Sequence, residues 1–182
     1  AVGRMCLTTS STASSNTAMG YYACGDLTTS ANTTAIGNEA CRNLTTGDHN
    51  TAVGDKALYT STDGWGNTCV GRLAGYLLTS AWGCTLIGNQ AGDSITTGED
   101  NTCIGHSNGI NITTGHRNTL VGVSAGDVLT TGGNNICIGF DVDPTSATVS
   151  NTITLGNNSI STLRCNQTSI SSLSDERDKT DI

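Results

Sequence analysis

One proline and one phenylalanine occur in 182 residues, and only 4% of the chain is aromatic and 13% charged. So little bulk excludes a conventional globular core, and so little charge excludes a solvated disordered tail as the main character of the chain. Lys plus Arg number 8 against 15 Asp plus Glu, a formal charge of −7 that has the wrong sign for a phosphate-binding surface, so no nucleic-acid partner is expected. No apolar run approaches the roughly 20 residues of a membrane span, and no charged-then-apolar leader opens the sequence. Membrane insertion is therefore not expected. The sequence is instead filled by 31 Thr, 23 Gly, 18 Ser and 17 Asn, which replace the long side chains that surface helices need. The composition predicts an all-β protein.

A strict repeat decides the architecture. A glycine preceded by an aliphatic residue recurs as Gly3, Gly20, Gly37, Gly54, Gly71, Gly88, Gly105, Gly122, Gly139 and Gly156, always at intervals of 17. The residue before it runs Val2, Met19, Ile36, Val53, Val70, Ile87, Ile104, Val121, Ile138 and Leu155. Thr stands three before it from Thr17 to Thr119, and Asn four before it at Asn16, Asn50, Asn67, Asn101, Asn118 and Asn135. A small residue follows at Ala23, Ala40, Ala57, Ala74, Ala91 and Ala125, then Leu or Ile, then Thr-Thr-Gly. The unit reads N-T-x-(I/V)-G-x-x-A-x-x-x-(L/I)-T-T-G-x-x.

Seventeen residues are too few for a helical hairpin, so each unit is one β-solenoid coil with two short strands, near N-T-x-I and L-T-T, and glycine corners. Coils stacked at the usual strand spacing make a rod on the order of 45 Å long. Asn and Thr columns become hydrogen-bonded ladders, and the Ile/Val and Leu columns are expected to form the thin core. Two before the glycine lie Ala18, Ala35, Ala52, Cys69, Leu86, Cys103, Leu120 and Cys137. Neighbouring strand residues face opposite sides, so both faces of this strand are apolar and a slim coil buries only one. The spare face predicts a closed assembly of identical chains, an intertwined or side-by-side homotrimer forming an elongated fibre, the alternative being a wider single-chain solenoid with a covering element.

The strict repeat covers 1–140, beginning in mid-unit at Ala1-Val2-Gly3, as expected of a piece of a longer chain. A degenerate unit at 141–156 contains Pro144, which cannot donate to a ladder. Residues 157–174, with sparse Ile160, Leu163, Ile170 and Leu173, suggest a narrow neck. Residues 175–182 turn abruptly charged.

The N-T-x-(I/V)-G units resemble repeats of bacteriophage tail fibres and, more distantly, the heads of trimeric bacterial adhesins. Ser174-Asp175-Glu176-Arg177-Asp178-Lys179 resembles the start of the self-cleaving intramolecular chaperone at the end of endosialidase tailspikes. That resemblance implies Ser174 as nucleophile and Lys179 as its base, with cleavage after Ser174 in a precursor that carries the whole chaperone. It further implies assembly in a host cytoplasm, residence in a virion, and partners among fibre or tail proteins. The eight residues 175–182 cannot build an oxyanion site, so no enzymatic activity is expected of this chain.

Remaining candidates are fewer. Tyr59 and Tyr76, and Trp65 and Trp82, are each 17 apart and predict rings stacked on adjacent coils, either as packing or as a platform for host-surface glycans. Eight cysteines lack any C-x-x-C or zinc spacing and read as reduced, small core residues, with Cys24 and Cys41 in adjacent coils within reach of a disulfide. His49, His106 and His116 fall in different registers, so neither metal nor other cofactor is expected. The acidic residues fall in different columns, which argues against the paired carboxylates of a polysaccharide-cleaving β-helix. Regular Thr columns also suit an ice-binding surface, which stands as the alternative outside the fibre class.

Overall fold

A computed structural model describes residues 1–9 and 12–164. Its strands are β1 (Thr17–Met19), β2 (Thr34–Ile36), β3 (Thr51–Val53), β4 (Thr68–Val70) and β5 (Thr85–Ile87), followed by β6 (Thr102–Ile104), β7 (Thr119–Val121), β8 (Ile136–Ile138) and β9 (Ile153–Leu155). They form one parallel sheet in sequence order, and every residue pairs with the one 17 positions on, as Thr51 with Thr68 and Thr68 with Thr85. The described residues thus form an all-β solenoid with a single turn per repeat. Register holds through Pro144, since Ile136 pairs with Ile153 and Ile138 with Leu155.

Only one strand occurs per coil. The Leu-Thr-Thr stretches, expected as a second strand, are bends. The Thr45 carbonyl explains this: it accepts from the N–H groups of Thr28 and Thr29 and from the Thr28 hydroxyl at 3.0–3.1 Å. With the Ser30 N–H at 3.4 Å as a fourth donor, this convergence on one oxygen is incompatible with the evenly spaced bonds of a parallel ladder.

The core also differs from expectation. In β1 to β8 the middle residue is buried and the residues on either side, Thr or Ile before it and the aliphatic after it, point outward, while in β9 the middle Thr154 is half-buried. The Ile/Val column is therefore an outer surface. The interior is built from Ala18 through Cys137, from Ala23 through Ala125, and from Leu27, Leu44, Leu78, Ile95, Ile112 and Leu129. A chain reversing direction within 17 residues leaves room for one inward side chain per strand.

The Asn column forms the buried polar spine. Asn118 Oδ1 accepts from the N–H and the Nδ2 of Asn135, both at 3.0 Å, while Asn118 Nδ2 donates to Gly132 O at 3.0 Å and Asn101 Oδ1 at 3.1 Å. Asn50 and Asn67 are linked in the same way. Because each amide satisfies backbone groups of the next coil, the burial cost of its own polar atoms is offset. A Thr ladder runs alongside, with Thr45, Thr79 and Thr96 each donating a hydroxyl to the carbonyl one coil on. Opposite charges are stacked at the same spacing: Glu39 with Lys56 and Asp55 with Arg72 at 3.7 Å, and Asp100 with Arg117 at 4.0 Å. Each exposed pair contributes little, yet a slip of register would separate all three.

The invariant glycine has a steric cause, seen at Gly105. Its φ is +143°, and a Cβ there would fall on the carbonyl of Gly122 in the next coil. Both the dihedral and the close backbone approach require glycine.

Candidate functional site

The strand's outer face carries two parallel columns. One is Thr17 to Thr119, continued by Ile136 and Ile153; the other is Met19 to Leu155. No charged side chain occurs in either column along the nine strands. Met19, Ile87, Ile104, Ile138 and Leu155 are exposed and the remaining aliphatics of that column half-buried. Charge gathers on the flanks, at Asp55 and Arg72 just after the glycine and at Asp100 and Arg117 before the strand. Nearer the C-terminal end of the described residues Phe140, Ile160 and Leu163 are also exposed.

The aromatic candidates divide between two places. Tyr59 and Tyr76 stack, with centroids 5.3 Å apart and planes 20° apart, and Lys56 Nζ lies 5.8 Å above the Tyr59 ring. Both rings are half-buried, so they serve chiefly as packing between coils. Trp65 and Trp82 lie at the corner preceding the strand and are 52% and 42% exposed. Trp65 packs against His49, at 5.5 Å and a tilt of 57°, and not face to face with Trp82. The structure therefore bears out ring stacking for the tyrosines and corrects it for the tryptophans.

Cys24, Cys41, Cys69, Cys84, Cys103 and Cys137 are free thiols inside the solenoid. The Cys41 thiol is raised by its hydrogen bond to Cys24 and by burial. Burial pushes Cys84 up to about 11. The Cys41, Cys69, Cys84 and Cys103 thiols are thereby protonated and poor nucleophiles at neutral pH. Cys165, Ser174 and Lys179 lie outside the described residues, as do Ile170, Leu173 and the whole of 175–182. Among the described residues, no three His, Cys, Asp or Glu side chains converge as a metal set.

Two features escaped the sequence. The acidic residues looked scattered, yet Asp127 meets Asp143 and Asp141 near the C-terminal end, where burial first and then Asp143 raise the Asp127 carboxyl. The other is the break in the column of corner side chains at Gly66 and Gly83, beside the two tryptophans. Both arise from residues at unequal repeat positions or from missing side chains, which a column-by-column reading passes over.

Comparison with known protein families, curated proteins and solved structures yielded no match.

Proposed function

We propose that this solenoid is a structural and adhesive segment of a viral tail or surface fibre, acting as a homotrimer whose strand faces turn inward. The carrying observation is the uncharged outer face, with nine aliphatic side chains in file left exposed or half-buried among the described residues. Completing the burial of half-exposed aliphatics contributes roughly 1 kcal/mol each, enough as a whole column to offset the loss of freedom on association. An unbroken register also suits parallel, in-line packing of identical rods.

The virion setting rests on the N-T-x-(I/V)-G units and on Ser174-Asp175-x-Arg177-x-Lys179. In a longer chain with the complete chaperone, Ser174 attacks and Lys179 takes its proton. The fibre reading is tested by light scattering: the chain should have about three times its 18.6 kDa mass, and Ile87→Asp/Ile104→Asp should be monomeric with an unchanged circular dichroism spectrum. A wild-type monomer would sink it. A trimeric bacterial adhesin head would share this assembly. The flat Thr and aliphatic columns favour one reading from another class, an ice-binding face, and thermal hysteresis by a monomeric chain would select it.

A further inference from the structure

The corner position five before the repeat glycine is left-handed in every coil: Ser15, Asn32, His49, Gly66, Gly83, Asp100, Arg117, Asn134 and Asn151 have φ between 55° and 70°. Its side chains form a ladder along the rod. Asn32 Nδ2 and His49 Nε2 are 3.5 Å apart, Arg117 Nε is 4.0 Å from Asp100, and Asn134 donates to Asn151 at 2.8 Å. The ladder is interrupted at Gly66 and Gly83, and Trp65 and Trp82 immediately precede those two glycines.

This interruption is a notch. A Cβ on Gly66 would have no atom within 4 Å, so the space is open. At Gly83 the Asp100 Oδ1 leans into the place a side chain would take, 2.6 Å from where a Cβ would stand. His49, braced on Trp65, closes one end and the Asp100 carboxylate the other, and the exposed Trp65 and Trp82 directly precede the two glycines.

We propose that this notch binds a neutral oligosaccharide lying along the rod axis, with consecutive sugar rings on Trp65 and Trp82. Adjacent coils are roughly 4.8 Å apart, close to the advance of one pyranose along an extended glycan, so the positions of the two indoles recur at nearly the ligand's own period. The C–H faces of pyranoses stack on such rings, and the Asp100 carboxylate accepts from a sugar hydroxyl. Charge selects the class. Arg117, the cation of this ladder, already faces Asp100, and Glu99 and Asp100 make the end wall acidic, so sialylated or sulfated chains are repelled. The notch lies at the corner and not on the strand's outer face, so this inference does not depend on trimer formation.

The test is a fluorescence titration of the chain with cello-, malto-, galacto- and chito-tetrasaccharides and, for contrast, a sialylated and a sulfated oligosaccharide, with oligomeric state measured in parallel. A neutral tetrasaccharide should shift the tryptophan emission saturably, and the anionic ones should not. Gly66→Asn fills the notch with the residue that Asn32, Asn134 and Asn151 already place at this left-handed position, so its fold is kept. That variant and Trp82→Ala should each weaken binding by roughly tenfold or more, with unchanged circular dichroism. Emission unmoved by every neutral oligosaccharide at about 10 mM, equal binding by Gly66→Asn, or preference for an anionic chain would each overturn the proposal.

Discussion

Leu86 and Gly92 share one volume: a Cβ on Gly92 would stand 2.8 Å from Leu86 Cδ2. The pairing recurs from Ala18 and Cys24 to Leu120 and Gly126 with an exchange of partners. Where the inward strand residue is small, at Ala18, Ala35 and Ala52, the left-handed residue six positions on is Cys24, Cys41 and Leu58. Where it is larger, at Cys69, Leu86, Cys103 and Leu120, that residue is Gly75, Gly92, Gly109 and Gly126. The larger member of the pair thus switches from the corner residue to the strand residue between Leu58 and Cys69.

Leu86→Ala should therefore cost about 2–5 kcal/mol, and Gly92→Cys about 1–3 kcal/mol through overpacking. The double variant copies the Ala35/Cys41 pair and should be at least ~1 kcal/mol more stable than the two losses summed. Denaturant melts of the four proteins measure this coupling; strict additivity would show that the two side chains do not compete for space.

Cys84 interrupts the Asn spine. Its N–H donates to Asn67 Oδ1 at 3.0 Å, and its sulfur donates to Gly98 O at 3.3 Å in place of an amide. Cys84→Asn would restore a full acceptor for the Asn101 N–H and a stronger donor to Gly98, stabilising the chain by about 1 kcal/mol. A rise in Tm checks it, and a fall would mean that the sulfur's volume matters more than the missing amide bonds.

Alkali should unfold the solenoid through its thiols. Cys84 ionises near 9.0 when unfolded but only at about 11 when buried, and burial likewise raises Cys69 and Cys103. Above pH 9 the unfolded chain has lost protons that the folded chain keeps. The stability held by the protonated thiol is complete below that pH and is lost as pH rises through about 11, roughly 3 kcal/mol for Cys84. In denaturant melts from pH 8 to 11, Cys84→Asn should show the shallower decline; parallel curves would remove Cys84 as a cause.

The sequence alone was enough for the 17-residue coil, the parallel register and the Asn and Thr ladders, because a solenoid stacks equivalent residues and periodicity is then a direct image of contact. Which strand side faces inward was read the wrong way round, with the Ile/Val column expected in the core where the structure puts Ala, Cys and Leu. Ala/Cys/Leu and Ile/Val alternate as two apolar columns, and only the tight reversal of the coil assigns the smaller one to the interior. Left-handed corners were readable where Asn32, Asn134 and Asn151 stand, since Asn tolerates that conformation, and hidden at Glu39, Lys56, Leu73 and Gln90, where φ is also positive. The notch at Gly66 was decided by tertiary structure for a related reason: a missing side chain has no signature in a repeat, and becomes a feature only when its stacked neighbours His49 and Asp100 stand on either side of the gap.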